Sequence, residues 1–101
     1  GCTLGIQCYW CINYPYSGGG RFYDANCGEE EYTGHTSQCD DCEACYLTVY
    51  NEDHGSVVDR GWTKLNSSSE CEYGPYYTVC YCDQQLCNSN LCEQCNSTRN
   101  Y

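Results

Sequence analysis

Alternation of apolar and polar positions predicts a chain built from β-strands. In residues 45–50, Cys45, Leu47 and Val49 share one face, and the positions between them carry Tyr, Thr and Tyr. A turn over residues 51–55 and a return strand over residues 56–64 complete a long hairpin. The alternation therefore predicts the longest hairpin of the protein near the middle of the chain.

Two shorter hairpins are predicted on either side. The first has strands over residues 4–11 and 21–27, joined by a loop in which Pro15 and three consecutive glycines exclude regular structure. An acidic, exposed loop over residues 28–38 follows it. The last hairpin covers residues 71–82, with Gly74 and Pro75 in its turn. No segment has the pattern of a useful amphipathic helix, so the prediction is an all-β chain.

The composition replaces most of an aliphatic core with sulfur and tyrosine. The 101 residues include 13 cysteines and 12 tyrosines but no methionine. Cysteine above roughly 8–10% of a short chain is typical of a disulfide scaffold. Because disulfides persist in oxidising compartments, we predict an extracellular protein, secreted or anchored at the cell surface.

The net charge of the chain limits the kinds of partner that it can bind. Fourteen acidic residues against four basic ones give a net charge of −10, which disfavours binding to nucleic acid and to anionic membrane surfaces. No apolar run is long enough for a signal peptide or a membrane span, so we take this as a mature chain without direct membrane insertion. A lipid anchor stays open. Sequons at Asn66 and Asn96 predict N-linked glycans.

Cysteine spacing at the two ends of the chain carries a family resemblance. A strand with Cys8-x2-Cys11 stands near the start, and Cys82-x4-Cys87 followed by Asn88 stands near the end. Over residues 4–88 this arrangement resembles the three-finger family, the fold of snake toxins and of lymphocyte-antigen-six/urokinase-receptor domains. The resemblance implies a small disulfide-rich fold of successive antiparallel hairpins from a cysteine-rich base. The domain would span residues 1–88, with a polar tail over residues 89–101.

The resemblance also implies a disulfide pattern and a structural role for Asn88, whose amide can tie the closing loop to neighbouring backbone. The implied pairs are Cys8–Cys45, Cys11–Cys27, Cys71–Cys80 and Cys82–Cys87. Tyr81 separates two cysteines that are adjacent in the family, which predicts a β-bulge. Arg60-Gly61-Trp62 lacks the cysteine that the family places before the tryptophan.

Five cysteines have no partner in the family pattern. For two of them, Cys92 and Cys95, we favour a local disulfide. Cys2, Cys39 and Cys42 stay unassigned or intermolecular, and at most two of these three can pair with each other within the chain. Because the total of 13 is odd, at least one cysteine is unpaired or bonded to another molecule.

Metal binding and catalysis fit this sequence less well than a disulfide scaffold does. Three Cys-x2-Cys pairs have zinc-ligand spacing, but the cysteine number and the sequons favour disulfides. Calcium through Asp40, Asp41 and Glu43 matches no known loop spacing. No helix follows a cysteine pair to support redox catalysis, and His35 and His54 lie in polar segments. We therefore predict no enzyme activity, no catalytic residue, no metal and no cofactor.

The tyrosines provide the candidate function, because tyrosine is enriched in protein interfaces. We predict a non-enzymatic recognition, adhesion or receptor-type module that contacts a partner protein through its finger faces. Tyr9, Tyr46 and Tyr81 are instead expected to cover disulfides. The alternative is a structural subunit that assembles with copies of itself, head to tail, into an extracellular glycosylated fibril. For the recognition module, the predicted contact tyrosines are Tyr14, Tyr16, Tyr50, Tyr73 and Tyr76.

Overall fold

Seven short strands make up the protein in the computed structural model, which describes residues 5–15, 20, 22–52, 55–64 and 71–91. The described residues contain one 3-10 turn and no α-helix, and thus no helix suited to crossing a membrane. The strands are β1 (Ile6–Tyr9), β2 (Cys11–Ile12), β3 (Thr36–Cys39), β4 (Ala44–Glu52), β5 (Gly55–Thr63), β6 (Cys71–Tyr73) and β7 (Tyr77–Cys82).

The strands form two antiparallel sheets. Five of them follow the order β2-β5-β4-β7-β6, and β1 pairs with β3 in a separate two-stranded sheet. The predicted central and last hairpins are present as β4–β5 and β6–β7. The predicted class, a small disulfide-rich all-β fold, is therefore confirmed.

The predicted first hairpin is wrong. The strand expected over residues 4–11 is interrupted at Trp10, and the described residues 22–27 form no return strand, only an isolated parallel bridge between Tyr23 and Ile12. A 3-10 turn occupies Ala25–Gly28, and the Asp24 side chain caps it by accepting a hydrogen bond from Asn26 N at 2.9 Å. Such local capping competes with strand pairing. The partner of β1 is instead β3, from a segment predicted to be an exposed loop.

Within the described residues, five disulfides join ten cysteines. All four pairs implied by the family resemblance are present, and a fifth joins Cys39 to Cys42. Cys39 and Cys42, which the sequence leaves unassigned or intermolecular, thus pair with each other, because a tight turn at residues 40–41 brings them within bonding distance. Several predicted positions lie outside the described residues: Cys2, Tyr16, His54, Asn66, Cys92, Cys95 and Asn96.

The bulge predicted at Tyr81 is also absent. Residues of β7 and β4 pair one to one, with Leu47 opposite Cys80, Tyr46 opposite Tyr81 and Cys45 opposite Cys82. Two cysteines separated by one residue lie on the same face of a strand, so the extra residue is accommodated without disturbing the register.

The core lies on one side of the large sheet. Leu47, Val49 and Val58 pack together there, and Leu91 contacts this cluster from outside the sheet. Leu91 N also donates a 2.9 Å hydrogen bond to the carbonyl of Glu30. The packed part of the chain therefore extends to residue 91, beyond the domain end expected at residue 88.

Candidate binding surface

Four tyrosines share the side of the sheet that faces away from this core. Tyr46 lies directly opposite Tyr81, and Tyr50 lies directly opposite Tyr77, on the neighbouring strands β4 and β7. Within each strand these positions differ by four residues, so all four side chains point the same way. The Tyr50 and Tyr77 ring centroids are 6.4 Å apart. We call the surface formed by Tyr46, Tyr50, Tyr77 and Tyr81 the tyrosine face.

Glycines give two of these rings room to lie over the backbone. A Cβ atom at Gly61 would stand 2.8 Å from the Tyr46 hydroxyl, and one at Gly74 would stand 2.5 Å from the Tyr77 ring. Both distances are shorter than a van der Waals contact. Larger residues at these two positions would therefore displace the rings, so the glycines help to set the shape of the tyrosine face.

The residues between the two tyrosine pairs are buried from solvent. Thr48 and Val79 oppose each other there, and both are buried. Asp59 pairs with Thr48 from β5, is only 5% exposed, and accepts a 3.0 Å hydrogen bond from the Tyr46 hydroxyl. By contrast, Tyr50 and Tyr77 are 37% and 38% exposed. The accessible part of the face is thus mainly aromatic.

The exposed carboxylate Glu72 borders the face on the edge strand β6, opposite Val79. Partial burial raises the pKa of the Tyr81 phenol, and the nearby Glu72 and Tyr77 raise it further. The Tyr81 phenol is therefore protonated and uncharged at neutral pH, and the exposed Glu72 carboxylate lies beside it.

The structure brings only some of the predicted contact tyrosines to this place. Tyr50 belongs to the tyrosine face, and Tyr76, 73% exposed, adjoins it because its carbonyl accepts a 2.8 Å hydrogen bond from Asn51 N. Tyr73 pairs with Thr78, so its ring points to the opposite side of the sheet. Tyr14 follows β2 at the other edge.

The expected role of Tyr46 and Tyr81 as covers for disulfides is wrong. Both side chains point away from the sheet side that carries Cys45, Cys80 and Cys82, because alternate residues of a strand face opposite sides. Tyr9, by contrast, packs against the cluster that contains Cys11 and Cys27, as expected.

A buried arginine lies on the core side of the same sheet. Arg60 has no exposed surface, and its guanidinium donates hydrogen bonds to four backbone carbonyls. Burial lowers its pKa to about 10, so it remains charged at neutral pH. The Tyr32 ring lies 5.3 Å from the guanidinium carbon. The carbonyl acceptors belong to Cys27, Glu29, Asn88 and Ser89.

Asn88 connects three segments beside this arginine. Its carbonyl oxygen accepts a hydrogen bond from Tyr9 N at 2.9 Å. Its amide donates to the carbonyls of Tyr9 and Tyr46, both at 3.0 Å, and of Gly61 at 3.3 Å. Since the residue is 2% exposed, these bonds satisfy a buried polar group and hold β1, β4 and β5 together.

The candidate metal ligands have other partners. Cys39, Asp41 and Cys42 lie close together, as do Cys45, Cys82 and Cys87, but each of these cysteines is in a disulfide and offers no thiolate. Asp41 forms a 2.9 Å ion pair with Lys64, which lowers the pKa of its carboxyl. The His35 ring stacks on Phe22 with centroids 4.4 Å apart.

The fold and these contacts define a small disulfide-rich all-β protein with a tyrosine-lined face. Comparison of the chain with models of known protein families, with curated proteins and with solved structures finds no match. The three-finger assignment therefore stays a prediction.

Proposed function

We propose that the protein is a non-enzymatic extracellular module that recognises another protein through its tyrosine face. The observation that carries this proposal is the placement of two cross-strand tyrosine pairs on one side of a sheet, away from the core. Tyrosine gives a large amphipathic contact area with few rotatable bonds, which suits protein recognition. N-linked glycans at Asn66 and Asn96 remain part of this proposal.

The other side of the sheet supports such a role by keeping the face rigid. Disulfides, the buried Arg60 and Asn88 all tie the strands from the core side. A surface that is already ordered loses little conformational entropy when it binds. The accessible rings of Tyr50 and Tyr77 would then supply the central contacts.

The test is a binding screen of the oxidised chain against a panel of purified extracellular ectodomains. The double substitution Tyr50→Ser and Tyr77→Ser should weaken any specific interaction at least about tenfold, as expected when interface aromatic residues are truncated. The matched control is Tyr14→Ser with Phe22→Ser, which removes two rings that are each 46% exposed and lie towards the β2 edge.

Disulfide mapping would verify that each variant retains the native pairs. Binding that survives the loss of Tyr50 and Tyr77, or that depends equally on Tyr14 and Phe22, would contradict the proposal. In the second case the contact region would lie around Tyr14, one of the contact tyrosines predicted from the sequence.

The odd cysteine count favours a second candidate function, covalent self-assembly. Five described disulfides use ten of the 13 cysteines, and the other three cannot all pair within this chain. Thiols near both ends could link copies head to tail into a glycosylated fibril. The three cysteines are Cys2, Cys92 and Cys95.

Non-reducing gels and negative-stain images test this candidate directly. Head-to-tail assembly predicts ladders of oligomers that collapse on reduction and that disappear when Cys2, Cys92 and Cys95 are all replaced by serine. A native preparation that migrates only as monomer before reduction would rule the candidate out.

A further inference from the structure

The described surface of the chain is strongly acidic, and Glu72 carries part of this charge to the border of the tyrosine face. The chain carries 14 acidic residues and four basic ones. Of the two basic residues in the described part of the chain, Arg60 is buried and Lys64 is paired with Asp41. The exposed carboxylates there are Glu29, Glu30, Glu31, Asp40, Asp41, Glu43, Glu72 and Asp83. A positively charged partner is therefore attracted, and an acidic one is repelled.

The tyrosine face adds short-range features that favour the same kind of partner. The face of an aromatic ring attracts lysine and arginine side chains within about 6 Å of its centre. Tyr50 and Tyr77 present accessible rings, and the Glu72 carboxylate lies at the border of the same surface. The core of the protein already contains such a contact, between Arg60 and the Tyr32 ring.

The spacing of the rings fits an extended chain. The two tyrosine pairs are four residues apart along β4 and β7, which is about 13 Å at roughly 3.3 Å per residue. Side chains four residues apart in an extended partner point the same way and span the same distance. One such side chain could therefore lie over each tyrosine pair.

We propose that the partner of the tyrosine face is an extended protein segment that carries lysine or arginine side chains, held by the aromatic rings and by Glu72. This inference rests on the proposed function and specifies the chemistry of its ligand. A second copy of this acidic chain is a poor occupant of the face, because it would bring like charge against like charge.

An NMR titration of the isotope-labelled, oxidised full chain tests the inference with a defined probe. The probe is a seven-residue glycine peptide with lysine at positions 2 and 6, and its matched control has glutamate at both positions. The lysine peptide should produce saturable, salt-sensitive shifts at residues 46–50 and 77–81. The glutamate peptide should produce none.

Substitutions then distinguish binding at the tyrosine face from attraction by the overall negative charge of the protein. Tyr50→Ser with Tyr77→Ser should weaken lysine-peptide binding about tenfold, since each exposed ring contributes modestly to holding a cation. Glu72→Gln should weaken it about threefold. Replacing Glu29 and Glu30 by Gln removes twice as much charge elsewhere and should leave the shifts at the tyrosine face in place.

Three results would overturn the inference: equal binding of the two peptides, shifts confined to residues 29–31, or unchanged affinity after loss of Tyr50 and Tyr77. Concentration-dependent shifts at the face without peptide would also overturn it, because they would identify a second copy as the occupant. If an ectodomain from the binding screen still requires Tyr50 and Tyr77 after such a result, the proposed function stands and the cationic ligand alone is wrong.

Discussion

The two sides of strand β4 differ in the types of side chain they carry and in how exposed their ends are to solvent. On one side Cys45, Leu47 and Val49 are 0%, 3% and 8% exposed and pack among disulfides and aliphatic side chains. On the other side Tyr50 is 37% exposed and pairs with the similarly exposed Tyr77, and the Glu72 carboxylate lies at the edge of the same surface. The core side holds the strands in place, which leaves the tyrosine side available for contacts with other molecules.

Two adjacent residues of opposite charge on strand β5 also face opposite sides of the sheet. Asp59 and Arg60 are neighbours on β5 and both are buried, yet they point to opposite sides of the sheet. Arg60 is compensated by backbone carbonyls on the core side. Asp59 accepts a hydrogen bond from Tyr46 on the tyrosine side. Backbone carbonyls therefore compensate Arg60 on the core side, and a tyrosine hydroxyl compensates Asp59 on the tyrosine side.

The largest expected effect comes from breaking the core side covalently. Replacing Cys8 and Cys45 by alanine opens a loop with a sequence separation of 37 and should cost about 4 kcal/mol of unfolding free energy in the chain-entropy model. Urea unfolding at neutral pH would measure the loss. The control replaces Cys39 and Cys42, whose separation is 3, and should cost about 2 kcal/mol. Equal losses would show that loop length does not govern the effect.

The next effect tests the buried arginine. Arg60→Met fills similar space but leaves the carbonyls of Cys27, Glu29, Asn88 and Ser89 without this donor. We expect a loss of about 3 kcal/mol in urea unfolding. Arg60→Lys retains the charge but not the planar fork and should recover only part of the loss. A methionine variant as stable as the original protein would mean that the arginine is not needed for stability.

The sequence predicts those features of the sheet that depend on local patterns of residues. The β4–β5 and β6–β7 hairpins follow from alternation and from turn residues within a few positions of each other. Strand β3 carries Thr36, Ser37 and Gln38, which show no apolar alternation, and it forms because β1 lies beside it. Pairing over such a distance leaves no signal in a short window of sequence.

The role of Arg60 was missed although a signal was present. The sequence showed only that an expected cysteine is missing beside Arg60. Yet alternation places Arg60 on the same face as Val58 and Trp62, which indicates that its side chain points into the core. The expectation for Tyr46 and Tyr81 is wrong for a related reason. Both residues are next to cysteines in the sequence, but alternation directs their side chains to the opposite side of the sheet.

A smaller effect is expected on the tyrosine side. Tyr46→Phe removes the hydroxyl that donates to the buried Asp59 and should cost about 1 kcal/mol in urea unfolding. Tyr77→Phe makes the same chemical change at a 38% exposed position and should alter stability by less than about 0.5 kcal/mol. Similar losses for both variants would argue against a stabilising bond between Tyr46 and Asp59.

The smallest effect concerns the titration of Tyr81. Burial, together with Glu72 and Tyr77, raises its pKa in the folded protein above the ordinary value near 10. The folded state therefore keeps this proton longer than the unfolded state does. The resulting stability is fully present below about pH 10 and is lost as the pH rises through the folded-state pKa.

Tyr81→Phe should abolish this contribution, so the variant should lose less stability than the original protein between pH 9 and pH 11 (about one unit either side of the ordinary tyrosine pKa). Ultraviolet absorption of tyrosinate should also show earlier ionisation of Tyr81 after Glu72→Gln, because an adjacent negative charge opposes ionisation. Glu29→Gln removes a carboxylate that does not act on Tyr81 and should leave its titration unchanged. An unaltered Tyr81 titration in Glu72→Gln would mean that this carboxylate does not act on the tyrosine face, which would also weaken its assignment as a contact for a cationic partner.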